Sequence, residues 1–193
     1  MDVKNMLNTN FRIHSIIHSL SLFSNETLFL TGGTLRNAIW NKLHNFNDNY
    51  ELEDCDVIFY NPNNVIKSYE KHIENELKVI NPNIEWSVKN QARMHIRNGH
   101  LPYGSLFDAL VAFPETCSAV ALGRNWEVIA PYGISDLLNL SLVETNYCRT
   151  FEKGTFKKRI VKKEWLNKWP ALKLGEEVRF TTTCPIKHNL AVA

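Results

Sequence analysis

LFLTGGTLRNAIW, residues 28–40, carries three signals in succession: a short apolar run, a Gly-Gly pair and a helical pattern. Leu28 to Thr31 is apolar and bounded by turn residues, as suits a buried strand. Gly32-Gly33 turns the chain, and Leu35, Ile39 and Leu43 recur at helical spacing from Thr34 onward. A strand that feeds two glycines and then a helix can form an anion site. The glycines let the backbone approach a phosphate closely, and the helix N-terminus offers free N–H groups. Thr34 adds a hydroxyl, and Arg36, one turn in, has the fork that grips phosphate oxygens in pairs. Gly-Gly turns are common and are usually only structural.

The second half of the pattern lies about twenty residues on. Cys55 to Tyr60 reads as a strand, and Asp54-Cys55-Asp56 opens it. Residues i and i+2 of a strand share a face, so Asp54 and Asp56 stand side by side and repel each other unless a cation joins them. A hard divalent ion such as Mg²⁺ suits two carboxylates while keeping room for substrate phosphates. An isolated D-x-D more often ends a loop or caps a helix.

In this order and at this separation the two elements resemble the nucleotidyltransferase superfamily of the polymerase β type. Its signature is a strand, Gly-Gly or Gly-Ser at a helix start, and D-x-D on the next strand. GGTLRN followed by DCD is similar to the head domain of CCA-adding enzymes, which carry Gly-Gly-x-x-Arg-Asp. Here Asn37 stands where that motif has its final Asp, so the hydrogen bonds of that Asp are not carried over. The blocks LTGGTLRNAIW, DCDVIFYN, WSVKNQARMH, PYGSLFDAL, FPETCSAVAL and APYGISDLL look like a bacterial family of nucleotidyltransferase proteins, mostly of unassigned substrate.

The resemblance implies an α+β fold, a small mixed β-sheet flanked by helices. It also implies Mg²⁺-dependent transfer of a nucleoside monophosphate from NTP to an unknown hydroxyl acceptor, with two ions engaged during turnover. Asp54 and Asp56 are the implied metal ligands and catalytic carboxylates. Gly32, Gly33, Thr34 and Arg36 are the implied phosphate contacts. The superfamily places a third acid on a later strand. Glu85, on the strand expected over residues 84–88, is the nearest candidate, and Ser87 shares its face. If Ser87 is the true counterpart, activity is weak or lost, and a nucleotide- or RNA-binding module becomes the alternative. Lys89, Asn90 and Arg93 follow that strand and can serve as further nucleotide contacts or as an ordinary helix cap with exposed charge.

Other segments complete the expectation. Phe11, Ile13, Ile16, Ile17 and Leu20 predict a first amphipathic helix, and Asn61-Pro62 predicts the start of another that runs to about Leu77. Residues 117–122 and 126–129 read as a hairpin, and 151–166 as one basic helix in which Trp165 and Trp169 pack rather than stack on bases. Residues 149–173 hold nine Lys or Arg against Glu152 and Glu164, so this segment carries +7 of a net +2 and the remainder −5. Such a run can track an RNA backbone, although it is more often the solvated face of a helix.

With 44% hydrophobic and 22% charged residues, the chain can build a core without metal or disulfide support. The four cysteines fall in no C-x-x-C pattern, which argues against a zinc site or a disulfide frame. The N-terminus does not read as a signal peptide, and no apolar run approaches the ~18 residues of a membrane span. The expectation is a soluble cytoplasmic protein with one nucleotidyltransferase-like domain over residues 1–175 and a C-terminal tail over 176–193. CCA-adding enzymes bind tRNA through extra helical domains C-terminal to the head, and the resemblance, confined to the head, carries the expectation that these 193 residues do not repair tRNA ends by themselves.

Overall fold

The computed structural model describes residues 3–51 and 53–175; the expected tail and Cys184 lie outside the described residues. The chain opens with α1 (Val3–Met6) and α2 (Phe11–Leu22). The Asn10 side chain caps α2 by accepting from the Ile13 N–H at 2.9 Å. Ile13, Ile16, Ile17 and Leu20 are buried along one stripe, as expected, but Phe11 is 85% exposed. Two residues before Ile13 is about 200° around a helix, so Phe11 falls on the opposite face.

β1 (Phe29–Leu30) leads directly into α3 (Gly32–Leu43). The helix therefore begins at the Gly-Gly pair and not at Thr34. β2 (Cys55–Phe59) follows, and its connection differs from the expectation. Asn61 and Pro62 do not start a helix. The Asn61 Oδ1 accepts from the N–H groups of Asn63 and Asn64, which closes a turn, and α4 (Lys67–Ile80) begins later. β3 (Trp86–Asn90) runs straight into α5 (Gln91–Asn98), capped by the Asn90 Oδ1 and ended by Gly99 at φ +69°.

After α6 (Leu106–Val111), β4 (Ala121–Gly123) and β5 (Val128–Ile129) form the expected hairpin in shortened form. The rest comprises α7 (Ser135–Leu138), β6 (Ser141–Leu142), α8 (Asn146–Phe151), α9 (Thr155–Lys163), α10 (Trp165–Lys168) and β7 (Lys173–Leu174). The single basic helix expected over 151–166 is thus broken twice, because Gly154 (φ +82°) and Glu164 (φ +53°) adopt left-handed conformations.

The main sheet has the order β3-β2-β1-β4-β5, with β2 and β3 parallel and the other neighbours antiparallel. It is the mixed sheet flanked by helices that was expected. Its two faces differ because strand side chains alternate. Leu30, Cys55, Val57, Phe59, Val88 and Leu122 face the large core, which also takes up residues of α2, α3 and α4. Phe29, Ile58 and Ala121 face the other way, with Leu110 of α6 against them. Asp56 precedes Ile58 by two residues on this second face and is only partly buried.

Trp165 and Trp169 pack, as expected. Both are buried edge-on against Trp40 of α3, with ring centroids 5.7 and 5.1 Å apart. The Trp169 indole N–H donates to the Asn41 Oδ1 at 2.8 Å. The C-terminal helices are thereby fastened to the helix that follows the Gly-Gly turn. Among the described residues, no helix is long and apolar enough to cross a membrane.

Candidate active site

Two glycines and two carboxylates meet where β1 turns into α3. The Thr31 N–H donates to the Asp56 carbonyl oxygen at 2.9 Å, and its hydroxyl donates to the Val120 carbonyl at 2.7 Å. This locks the turn between β2 and β4. Gly32 takes φ +68°, and a Cβ there would come within 2.7 Å of the Asp56 Oδ2. A Cβ on Gly33 would overlap the Glu53 carboxylate. Each glycine therefore makes room for an acid side chain.

Asp56 lies on β2 and Asp54 immediately before it; Asp54 is exposed and Asp56 partly buried. Burial pushes the Asp56 carboxyl above its ordinary value. A hydrogen bond with Ser87 and the charge of Lys89 act the other way, while Glu53 and Asp54 push it further up. Two like charges so placed fit a hard divalent cation with oxygen ligands. Ser87 lies in register with Asp56 on the parallel neighbour β3, and Lys89 lies in register with Ile58.

Glu85 does not complete an acidic trio. It is exposed, it sits just before β3, and its carbonyl oxygen receives the Cys55 N–H at 2.8 Å. Among the described residues no group of three or more His, Cys, Asp or Glu side chains converges as a metal site. The position on β3 that faces Asp56 is the neutral Ser87.

The other expected contacts divide. Lys89 stays on the Asp56 face of the sheet by register, and its ammonium donates to the Val88 carbonyl at 3.0 Å. Asn90 pairs in register with Phe59 and so belongs to the core face, where its amide donates to the carbonyls of Asn61 and Asn64. Arg93 forms a two-pronged pair with Glu70 of α4, at 2.8 and 2.6 Å. Asn90 and Arg93 therefore clamp α4 to the β3–α5 junction and are not brought to the Asp54/Asp56 face. Thr34 is buried, and its hydroxyl lies within hydrogen-bond reach of the Glu53 and Asp54 carbonyl oxygens at 3.2 and 3.0 Å, which ties α3 to the approach of β2.

Arg36 is a cation in a closed setting, 3% exposed. Its guanidinium lies 4.9 Å from the Trp40 ring centre and 4.4 Å from that of Trp165. It donates to the Ser118 Oγ and the Asn37 Oδ1, each at 3.0 Å, and stands 4.0 Å from the Glu53 Oε1. Its Nε is buried without a partner among the described residues. Burial lowers the guanidinium from its ordinary value, while Cys117, Glu53 and Glu115 pull it back up. Asn37, standing in the place of the resembled motif's Asp, uses its amide oxygen as acceptor for Arg36 and its N–H₂ as donor to the Glu51 carbonyl.

Sequence reasoning missed Glu53, Glu115, Ser118, Arg159 and Lys163 as parts of this region. Lys163 of α9 donates to the Glu53 Oε1 at 2.9 Å, and Arg159 pairs with Glu115, which is fully buried. Glu53 adjoins Asp54 in the chain, but its partner is 110 residues away, and no local pattern joins the two. Of the basic segment 149–173, Arg149, Arg159, Lys163 and Lys168 are engaged with Glu144, Glu115, Glu53 and Glu51, whereas Lys153, Lys157, Lys158, Lys162 and Lys173 are exposed.

Residues 16–174 match the model of a protein family described as Nucleotidyltransferase. No curated protein matches the chain by sequence. A solved NMR structure described as revealing a CCA-adding enzyme head domain is 28% identical, covers 90% of this chain and 94% of that chain, and superposes with a TM-score of 0.76. The Thermotoga maritima CCA-adding enzyme complexed with tRNA is 12% identical, with 91% and 43% of the two chains covered and a TM-score of 0.57. A CCA-adding enzyme in complex with CTP is 13% identical, with 91% and 44% covered and a TM-score of 0.58. This chain spans less than half the length of the latter two, which share its fold.

Proposed function

Since the chain belongs to the nucleotidyltransferase family, we propose that it moves a nucleoside monophosphate from an NTP to a hydroxyl acceptor, with Asp54 and Asp56 holding Mg²⁺. The observation that carries this reading is the Asp56 carboxylate lodged against Gly32, at the start of α3, the end of a helix that suits an anion. When bound, the ion supplies charge neutralisation and Lewis acidity at the transferring phosphoryl group. The chain's own residues do the rest. Gly32 and Gly33 open the first turn of α3 to a phosphate, and Lys89 adds a positive charge on the Asp56 face. Arg36, too enclosed to grip a phosphate directly, contributes a fixed positive charge beneath the turn. Thr34 holds the strand that carries the carboxylates.

Binding of tRNA and of CTP by solved proteins of the same fold supports NTP and RNA as partners. The free, buried thiols of Cys55, Cys117 and Cys148 support a reducing, cytoplasmic setting. Titration of ATP, CTP, GTP and UTP with Mg²⁺ by calorimetry tests the proposal: at least one binds, and binding weakens in Asp54→Asn and Asp56→Asn. A folded protein that binds none of the four ends it.

A second reading is favoured by Ser87, whose neutral hydroxyl faces Asp56 in register where an acid would complete the set. It takes the protein as a catalytically weak nucleotide- or RNA-binding module. The reading predicts NTP or RNA binding without pyrophosphate release, and a steep salt dependence for RNA that flattens when Lys157, Lys158 and Lys162 are changed to Glu. Salt-insensitive RNA binding contradicts it.

A further inference from the structure

The Glu53 carboxylate fills the space in front of Gly33, where a Cβ would overlap it, and cations surround it. Lys163 lies 2.9 Å from its Oε1 and Arg36 4.0 Å from the same atom, and Arg159 feels its charge as well. Glu53 is also close enough to Asp56 to raise that carboxyl, so the anion stands beside the proposed metal site and not away from it. The arrangement is unbalanced. Arg36, Arg159 and Lys163 face Glu53 and Glu115, and Glu115 is committed to Arg159 at full burial. Removing Glu53 from the group leaves two positive charges without their counter-anion, at the positive end of a twelve-residue helix. The buried Arg36 Nε, without a partner, adds an unused donor to the same cluster.

Glu53 is the movable member. Its side chain is 28% exposed, it precedes β2 in a connecting segment, and its carboxylate is the far end of a flexible stem. Lys163, 41% exposed, is likewise free to follow an anion. Arg159 is tied down by a buried partner, and Arg36 is held between two indoles.

We infer that Glu53 is an internal competitor of the nucleotide triphosphate, and that Lys163 exchanges the Glu53 carboxylate for a phosphate oxygen when NTP binds. This rests on the nucleotide-binding reading given above and adds two residues to it. In the unliganded protein Glu53 balances the cations and keeps α9 docked. On binding, the polyanion takes its place before Gly33, and the carboxylate turns out to solvent. The exchange lowers the apparent affinity by the fraction of time the seat is open. A seat closed about 90% of the time costs about tenfold in apparent affinity.

The test is calorimetric titration of ATP with Mg²⁺, and of inorganic tripolyphosphate as a base-free probe, into the wild type, Glu53→Gln, Glu53→Asp and Glu53→Gln/Lys163→Met. Thermal unfolding midpoints serve as the fold control. Glu53→Gln binds both probes about tenfold more tightly, and adding Lys163→Met reverses that gain. Glu53→Asp keeps the charge but withdraws it by one methylene, and gives an intermediate gain even if the Gln variant folds poorly. Equal or weaker binding by Glu53→Gln and Glu53→Asp, with the wild type still binding, overturns this inference alone. A double variant that binds as tightly as Glu53→Gln removes the role of Lys163. No binding of either probe by any folded variant removes the nucleotide reading and this inference with it.

Discussion

Replacing Arg159 by methionine strands the carboxylate of Glu115, and the two partners differ in a way that sets the size of the loss. Glu115 is 0% exposed, whereas the Arg159 side chain is 38% exposed and already touches water. Breaking a buried ion pair by removing one partner costs about 3–5 kcal/mol, because the other charge stays buried and uncompensated. Arg36 remains within electrostatic reach of Glu115, which places Arg159→Met near the lower end, about 3 kcal/mol. The reciprocal change, Glu115→Gln, leaves a guanidinium that water can solvate and an amide oxygen that can still accept from it, a loss of about 1 kcal/mol. For a chain of this size 1 kcal/mol corresponds to about 2–4 °C, so the unfolding midpoint falls by roughly 6–12 °C in Arg159→Met and 2–4 °C in Glu115→Gln. Urea titration of both variants, with unchanged slopes, measures the difference directly. Arg159→Met also loosens the docking of α9 and with it the position of Lys163. Equal losses in the two variants, or a larger loss in Glu115→Gln, refute the assignment of Glu115 as the buried, dependent member.

Gly32→Ala forces a left-handed residue and a Cβ against the Asp56 carboxylate, so it lowers stability by about 1–2 kcal/mol and weakens Mg²⁺-dependent NTP binding; wild-type stability in urea contradicts the packing at that turn. Asp56 has a carboxyl raised by burial, so its ionisation costs the folded state. That cost begins as pH rises through the unfolded value of about 3.9 and is complete above the folded value, so Asp56→Asn is more stable than the wild type at neutral pH without metal and not below pH ~4. Thermal midpoints of both proteins across that range check the sign, and a gap that widens toward acid contradicts it.

The parts of this protein legible in its sequence are those with local causes. The Gly32-Gly33 turn follows from backbone freedom and lies between β1 and the body of α3 as expected, while the shared face of Asp54 and Asp56 is what the period of a strand leads one to expect. Phe11 adjoins the apolar stripe in sequence but lies on the opposite face of α2, where the helical period alone would have placed it. Asn61-Pro62 has the residues of a helix start, but the Asn61 side chain closes its own turn instead. The single basic helix expected over 151–166 passes over Gly154, a residue that permits the left-handed break found there, whereas Glu164, also left-handed, carries no local signal of one. Arg36 reads as a phosphate ligand until Trp165, from the far end of the chain, closes over it. The partnership of Glu53 with Lys163 likewise exists only once α9 has folded back. The third acid is a comparable case: the register of β2 with β3 decides that Ser87, and not Glu85, faces Asp56.

The central proposal is that Asp54 and Asp56, the latter set against Gly32, hold the Mg²⁺ for transfer of a nucleotidyl group. The direct measurement is pyrophosphate release from each of the four NTPs in the presence of Mg²⁺ and a pool of RNA and small hydroxyl acceptors, comparing the wild type with Asp56→Asn. The account predicts release by the wild type with at least one NTP and its loss, by about a hundredfold or more, in the folded variant. Equal release by the two proteins would contradict the placement of the site, and binding of NTP without release by the wild type would leave the Ser87 reading in its place.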